Sequence, residues 1–300
     1  MKSKNRTRYR PVNDGYEIIG SREFFNRTLY GSHANDDLQE RYFTFAGDLP
    51  LFMGAVTDWS KNLSSSYAKC GVLMSGLALA PGLKIPSFYS KDVDVSSHWF
   101  HNSEDIAAVF RNGWVEYEFR QFSPWFPDVK VNISAFPLMP EDGFLIHYRI
   151  KTDQRVIFCA GFGGITDFIS RLEYPQIKAR NFSAADCKNN TVSCGRNRAL
   201  VKRDKGDSIW IGSSFPVEVE AGDAISLQDD APGMFLKNKP DEKEPRVVKM
   251  FSTIGPGEDF EGFVVVIRNE DESVLDKWLK CKNPVKYLKQ QINSKKSAVT

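Results

Sequence analysis

Two histidines, His98 and His101, lie three residues apart in SSHWFHNSED, with Glu104 and Asp105 close behind. On one helical turn that spacing would put both rings on one face beside a carboxylate, as a metal site requires. The serine-rich flanks predict a loop instead, so no metal centre is assigned. His33, near Asp36 and Asp37, is a lone imidazole without further ligand spacing and suits a structural hydrogen bond better than a metal. Trp99 and Phe100 share the first stretch, and FSPWFPD holds Trp125 and Phe126 between Pro124 and Pro127. An aromatic ring can cover the apolar C–H face of a pyranose. These four rings, with His98 and His101, are therefore the candidate carbohydrate-binding residues; the competing reading places Trp99 and Phe100 at the edge of a core. Glu116, Glu118, Asp128, Asp167, Glu173 and Asp186 could serve acid–base chemistry on a glycoside, but sequence spacing does not establish the close approach that such a pair needs. G-x-S-x-G, H-E-x-x-H and kinase motifs are absent, and no catalytic residue is assigned. Gly163 and Gly164 in FGGITD lack the lysine and helix of a phosphate loop and read as a turn or bulge; no cofactor is expected.

The 300 residues carry 41% hydrophobic and 26% charged side chains, the balance of a globular chain with a real core. Forty basic against thirty-eight acidic residues leave a formal charge of +2, too weak a field to recruit nucleic acid. No apolar run is long enough to span a bilayer, and no signal peptide is visible, since no apolar stretch follows the basic start MKSKNRTRYR. The five cysteines have no paired zinc spacing. Cys187 and Cys194 are near enough in sequence to bridge a loop, although buried thiols are the preferred reading.

The elements that must position these groups read as strands. In residues 113–122, Val115, Tyr117 and Phe119 alternate with Glu116, Glu118 and Arg120, which gives a half-buried antiparallel strand. VKVNISAF puts Val129, Val131, Ile133 and Ala135 on one face; GFLIHYRIK does the same with Phe144, Ile146, Tyr148 and Ile150, and the PEDG turn between them predicts a hairpin. Further strands are expected at 155–162, 207–213, 224–227, 246–254 and 262–268, the last buried on both faces because GFVVVIR is continuously apolar. So many strands favour two packed antiparallel sheets, because one open sheet would leave an apolar face wet. Residues 83–102 and 167–198 hold little periodicity and are expected to be long irregular loops.

After Arg268 the pattern becomes helical. Val274, Leu275, Trp278 and Leu279 recur at helical spacing after a cap at Asp271 or Ser273; Pro284 breaks the run, and Val285, Leu288 and Ile292 form a second stripe. Lys277, Lys280, Lys282, Lys286, Lys289, Lys295 and Lys296 make a solvated basic face. The expected organisation is an N-terminal tail over 1–15, a β-sandwich over 16–270 and a helical linker or tail over 271–300.

Four strings, REFFNRTLYG, FAGDLPLFMG, FCAGFGGITD and the stretch around AADCKNN, occur in that order. Together they resemble a Bacteroidetes domain-of-unknown-function family, number 4450. That family carries N-R-A-L-Y-G, A-G-D-L-P, Y-G-G-A-S-G and E-Y-C-K strings. The matching positions, Asn26, Arg27, Tyr30, Gly31, Gly47, Asp48, Leu49, Pro50, Gly163 and Gly164, are expected to be structural. Thr28 replaces the alanine, FGGITD replaces the third string, and FISRLEYPQIKARNF stands where the family has a Gly- and Asp-rich segment. The resemblance implies a large two-sheet supersandwich, galactose-mutarotase-like, with a helical linker leading into a six-hairpin (α/α)-barrel. It also implies a periplasmic or secreted setting and two kinds of partner: the helical-barrel catalytic domain or a downstream protein, and an oligo- or polysaccharide. The expected function is a non-catalytic module of a glycoside hydrolase system for polysaccharide degradation. One alternative is a free-standing carbohydrate-binding protein. The other is a glycosidase or lyase in its own right, which requires two carboxylates, or a histidine and a carboxylate, converging in a cleft.

Overall fold

The computed structural model describes residues 8–12, 15–20, 72–80, 97–100, 103, 105–111, 114–122, 126–138, 141, 143–163, 184–203, 208–229, 232–239, 246–268 and 271–297. Their strands are β1 (Arg8–Val12), β2 (Gly15–Gly20), β3 (Val72–Leu79), β4 (Ser97–Trp99), β5 (Asp105–Arg111), β6 (Trp114–Gln121), β7 (Lys130–Pro137), β8 (Gly143–Lys151), β9 (Val156–Gly163), β10 (Thr191–Gly195), β11 (Arg198–Lys202), β12 (Ser208–Ser213), β13 (Glu218–Asp223), β14 (Arg246–Ile254) and β15 (Asp259–Arg268). The helices are α1 (Ala224–Asp229), α2 (Pro232–Lys237), α3 (Glu272–Leu279) and α4 (Pro284–Ser297). A ten-stranded sheet runs β1-β2-β5-β6-β7-β8-β15-β12-β11-β10, and a five-stranded sheet runs β13-β14-β9-β3-β4. All pairings are antiparallel. The chain is a large two-sheet antiparallel β-sandwich.

Period-two alternation builds the main core. Tyr117, Phe119, Val131, Ile133, Ala135, Phe144, Ile146, Tyr148 and Ile150 of the large sheet meet Leu73, Leu77, Phe158, Phe162, Val248 and Met250 of the small one. Tyr148 shows how a polar tip is accommodated there: its ring packs edge-on to Phe158 at 5.0 Å and its hydroxyl donates to Ser75 Oγ at 3.2 Å. Burial in that layer holds the phenol far above its ordinary pKa. The expected hairpin joins β7 to β8, closed by Leu138 N–H donating to Gly143 O at 3.0 Å.

A second core lies on the outer face of the large sheet. There Trp114, Phe136, Leu145, Phe263, Val265 and Ile267 are covered by Leu275 and Trp278 of α3 and by Leu288 and Ile292 of α4. This explains why GFVVVIR is apolar throughout, since Val264 and Val266 face the small sheet while Val265 and Ile267 face the helices. Of the segment expected as a helical linker or tail, 271–300, the described helices α3 and α4 bury their apolar stripes against this sheet. Asp271 occupies the cap position without a side-chain cap bond, and Pro284 opens α4, where its missing N–H costs nothing. Arg198 on β11 ties the docked α3 through Glu272 and Asp276, both at 2.7 Å. The expected solvated face holds for Lys277, Lys280, Lys282 and Lys286.

Three expectations change. Residues 224–227, expected as a strand, begin α1, because Asp223 caps the turn by accepting from Ile225 N–H at 2.8 Å and Ser226 N–H at 3.2 Å. Four apolar-rich residues do not reveal their period, and the cap decides it. The helix then covers the outer face of the small sheet, with Leu227 so close that a Cβ at Gly161 would stand 2.3 Å from it. Residues 184–198, expected as irregular, hold a 3-10 turn over Ala184–Cys187 and the β10–β11 hairpin, whose turn places Asn197 at φ 59°. In addition, β1 falls within the expected tail, at one edge of the large sheet. Cys187 is buried and Cys194 exposed, and no disulfide joins them.

Candidate functional site

Three of the four rings expected to stack on sugar are buried instead. Phe100 and Phe126 are buried to 0% and 1% exposure, and Trp99 to 3%. Phe122 sits 5.3 Å from both Phe100 and Phe126, with the His98 ring edge-on to it at 5.2 Å. Trp99 packs instead toward Phe235 of α2 at 6.0 Å. The carbohydrate-stacking role is therefore corrected for Trp99, Phe100 and Phe126, because no ring face is left for a pyranose. His98 belongs to the same aromatic cluster, and Gly163 ends β9 as a buried strand residue rather than a turn. Trp125, His101, Gly164, Asn26, Arg27, Tyr30, Gly31, Gly47, Asp48, Leu49 and Pro50 lie outside the described residues, as do His33, Asp167 and Glu173. Among the described residues no three His, Cys, Asp or Glu side chains group as metal ligands.

What the fold does assemble is a polar cleft of about 420 Å³ on the outer face of the large sheet, beside α4. It follows from the meander β5–β6–β7–β8, whose non-core positions align across strands in two rows. One row runs Val109, Glu116, Ser134, His147; the next runs Ala107, Glu118, Asn132, Arg149 and on to Glu261 of β15. The row beyond, Trp114, Phe136 and Leu145, is apolar and roofed by the helices. Short side chains on β5 and β7 between longer ones on β6 and β8 leave the hollow. Val285 and Lys289 of α4 form its wall toward the helices, and Glu17 of β2 lies at the far side.

The charged groups are organised in pairs. Glu116 accepts from Arg111 Nε at 2.8 Å, from Lys289 Nζ at 2.9 Å and from Trp114 Nε1 at 3.2 Å. The Lys289 ammonium stands 5.2 Å from the Trp114 ring and 5.8 Å from the Phe136 ring, within cation–π range. Burial pushes the Glu116 carboxyl up, but the Arg111 and Lys289 bonds and the Lys289 charge outweigh it and hold the group below the usual carboxylate range. Glu261 is also held low: burial opposes ionisation, and the bonds from Arg149 and His147 reverse it. His147 Nε2 lies 2.9 Å from Glu261 Oε1, and Arg149 Nη2 reaches the same oxygen at 3.0 Å. Burial pushes the His147 imidazole below its ordinary value; the Glu261 charge pulls it back only in part, and Arg149 adds to the lowering. The shift favours the uncharged imidazole. Because ionised Glu261 can only accept, Nε2 carries the proton and Nδ1 is an acceptor.

The cleft thus presents an imidazole hydrogen-bonded to a carboxylate, together with an amide, a hydroxyl and several ion pairs, on hydrogen-bonded strands and α4. Such a surface can hold a ligand through many directional hydrogen bonds, and His147 can take up a proton. Glu116 and Glu261 are both shifted toward the ionised form, whereas the carboxyl that donates to a glycosidase's leaving group is shifted toward the protonated one. Of the acidic candidates read from the sequence, Glu116 and Glu118 reach this cleft, and Asp128 is exposed in the turn before β7. His147, Arg149 and Lys289 were missed. The signal for the first two was present: VEYEFR, KVNIS and IHYRI each alternate polar with apolar residues, and consecutive hairpins put the polar sets side by side. Lys289 offers no such signal, since only the docking of α4 brings it to Glu116.

No protein-family model matches the chain, and no curated protein matches it. Among solved structures it is similar to the heparan sulfate lyase of Pedobacter heparinus at 10% identity and TM-score 0.31, over 53% of this chain and 20% of the lyase. It is similar to a bacterial glucoamylase complexed with acarbose at 8% identity and TM-score 0.41, over 74% of this chain and 30% of that one. An Escherichia coli protein assigned as an aldose 1-epimerase aligns at 6% identity and TM-score 0.37, over 71% of this chain and 87% of its own. The chain therefore spans a fifth to under a third of the lyase and the glucoamylase.

Proposed function

We propose that this chain is a carbohydrate-binding β-sandwich module of a polysaccharide-degrading system, working beside a helical-barrel catalytic domain or a downstream protein in an exported setting. The observation that carries the binding role is the cleft of about 420 Å³, lined by Asn132, Ser134, His147 and paired charges. Its size lies in the range of small-ligand sites, and its amphoteric lining matches a molecule whose hydroxyls both donate and accept. The four strings in family order support the setting. The test is calorimetry of the whole chain against plant and host oligosaccharides, with Asn132→Ala and Ser134→Ala as cleft variants. Binding that weakens in both variants supports the reading, and heat from no oligosaccharide defeats it.

A catalytic reading is favoured by one observation, the His147 imidazole at the cleft, bonded to Glu261 and shifted toward its uncharged form. On this reading His147 is the base in a proton transfer on the bound sugar. NMR of an oligosaccharide that binds would show its slow conversion, abolished by His147→Gln under conditions that still saturate the variant. An unchanged oligosaccharide after prolonged incubation removes the catalytic reading and leaves the binding one.

A further inference from the structure

The charge pattern of the cleft narrows its ligand beyond carbohydrate as a class. Resting on the reading of the cleft as a sugar site, we infer that it accepts a neutral, hydroxyl-rich saccharide and excludes glycans bearing uronate or sulfate groups. Among the described residues that line it, Glu17, Glu116 and Glu118 are acidic, and only Arg149 and Lys289 are permanently cationic. Both cations are already bonded, Arg149 to Glu261 at 3.0 Å and Lys289 to Glu116 at 2.9 Å. A carboxylate or sulfate on the ligand would either displace a protein carboxylate from one of these pairs or take the remaining Arg149 N–H groups with the Glu261 and Glu118 carboxylates close by and repelling. Recognition of anions uses the opposite arrangement, with arginine forks turned toward the ligand.

A hydroxyl meets no such conflict. Arg120 Nε bonds Oε2 of Glu118 at 2.9 Å, and a half-exposed carboxylate retains lone pairs that accept from a ligand hydroxyl. Arg149 spends Nε and Nη2 on Glu261, and the remaining guanidinium N–H groups can donate to the oxygen of a hydroxyl. Asn132 and Ser134 each donate and accept. His147, shifted toward its uncharged form beside Arg149, supplies an acceptor where a sulfate would need a cation. The pairs therefore stay intact while a neutral sugar bridges them, and the same pairs turn like charge against an acidic one.

The experiment is an NMR titration of the full chain at low ionic strength with two panels of matched length. The neutral panel is malto-, cello- and xylo-oligosaccharide; the anionic panel is oligogalacturonide and a heparan sulfate fragment. The expected result is a neutral ligand that shifts the His147 ring signals, with anionic ligands weaker by about tenfold or more. Glu118→Gln, a conservative change at an exposed position, should narrow that gap. Anionic ligands that bind more tightly than every neutral one while shifting His147 overturn the inference and leave the cleft as a sugar site. Binding of neither panel overturns both. An unchanged gap in Glu118→Gln overturns the charge-exclusion argument.

Discussion

Replacing Leu275 by alanine asks whether the C-terminal helices are structure or tether. Leu275 is fully buried, and its methyls stand about 3.1 Å from where a Cβ on Gly212 would be, so the helix lies directly on the strand. The substitution deletes three carbons from a sealed layer, with a cost of about 2–5 kcal/mol for a buried leucine. The sheet side of the layer is held by strand pairing, whereas α3 can settle toward it, so about 3 kcal/mol is the better figure. For a chain somewhat larger than those on which the scale rests, each kcal/mol moves the melting point by roughly 2–4 °C, giving a fall of about 6–12 °C. A flexible linker would place the same change within about 0.5 kcal/mol of wild type. Differential scanning calorimetry of Leu275→Ala beside the exposed control Ser273→Ala separates the two. Equal melting points for variant and control would refute the docking of α3. Because α4 carries Lys289 to the cleft, a loosened helical layer should also weaken whatever binds there.

Three further outcomes follow from the charged groups. His147 should titrate below its ordinary value of 6.5, read from its ring signals by NMR. Since the folded imidazole takes up its proton later than the unfolded one, stability is undiminished above the unfolded value and falls as pH drops below it toward the folded value; titration above 6.5 would mean that Glu261 outweighs burial. Lys289→Met keeps the aliphatic stem over Trp114 and Phe136 but removes a hydrogen bond and a charge from Glu116, so the Glu116 carboxyl should rise toward its ordinary 4.5 in a carboxylate NMR titration. The stability change should stay below about 1 kcal/mol because the pair is partly solvated. Lys249→Met should cost about 1–3 kcal/mol in urea denaturation, since Lys249 Nζ donates to Leu236 O at 3.0 Å at the end of α2 from a side chain only 2% exposed. A neutral effect would mean that this carbonyl has another donor.

Elements with a strong period were legible and those without were not. β8 and β14 fall where expected, at Gly143–Lys151 and Arg246–Ile254, and the apolar run of β15 was legible although the strand begins three residues earlier, at Asp259, where its positions are exposed or half-buried. β10 escaped because TVSCG lies at a sheet edge, exposed at four of its five positions, and has no buried face to write into its sequence. The aromatic residues of 97–126 misled for a different reason: a phenyl ring is as suitable for a core as for a sugar, and residue type does not say which way it faces. The cleft was half legible. Its polar residues stand in alternating strands, but their convergence depends on register, and its wall depends on a helix over a hundred residues away in sequence.

The position of β15 has a consequence for how the protein is made. β8 pairs with it across more than a hundred residues, as the His147–Glu261 separation of 114 shows. During synthesis the meander through β8 can assemble early, yet its last strand then offers an open row of backbone donors and acceptors, with apolar residues on both faces, until the strand beginning at Asp259 emerges. The roof of the second core arrives later still. The nascent protein therefore passes through a stage with an unfilled slot at the middle of its future sheet, a natural target for a holding chaperone and the stage at which strand exchange between neighbouring chains would begin. Substitutions that slow closure of that slot should lower soluble yield more than they lower the melting point of the protein that does fold.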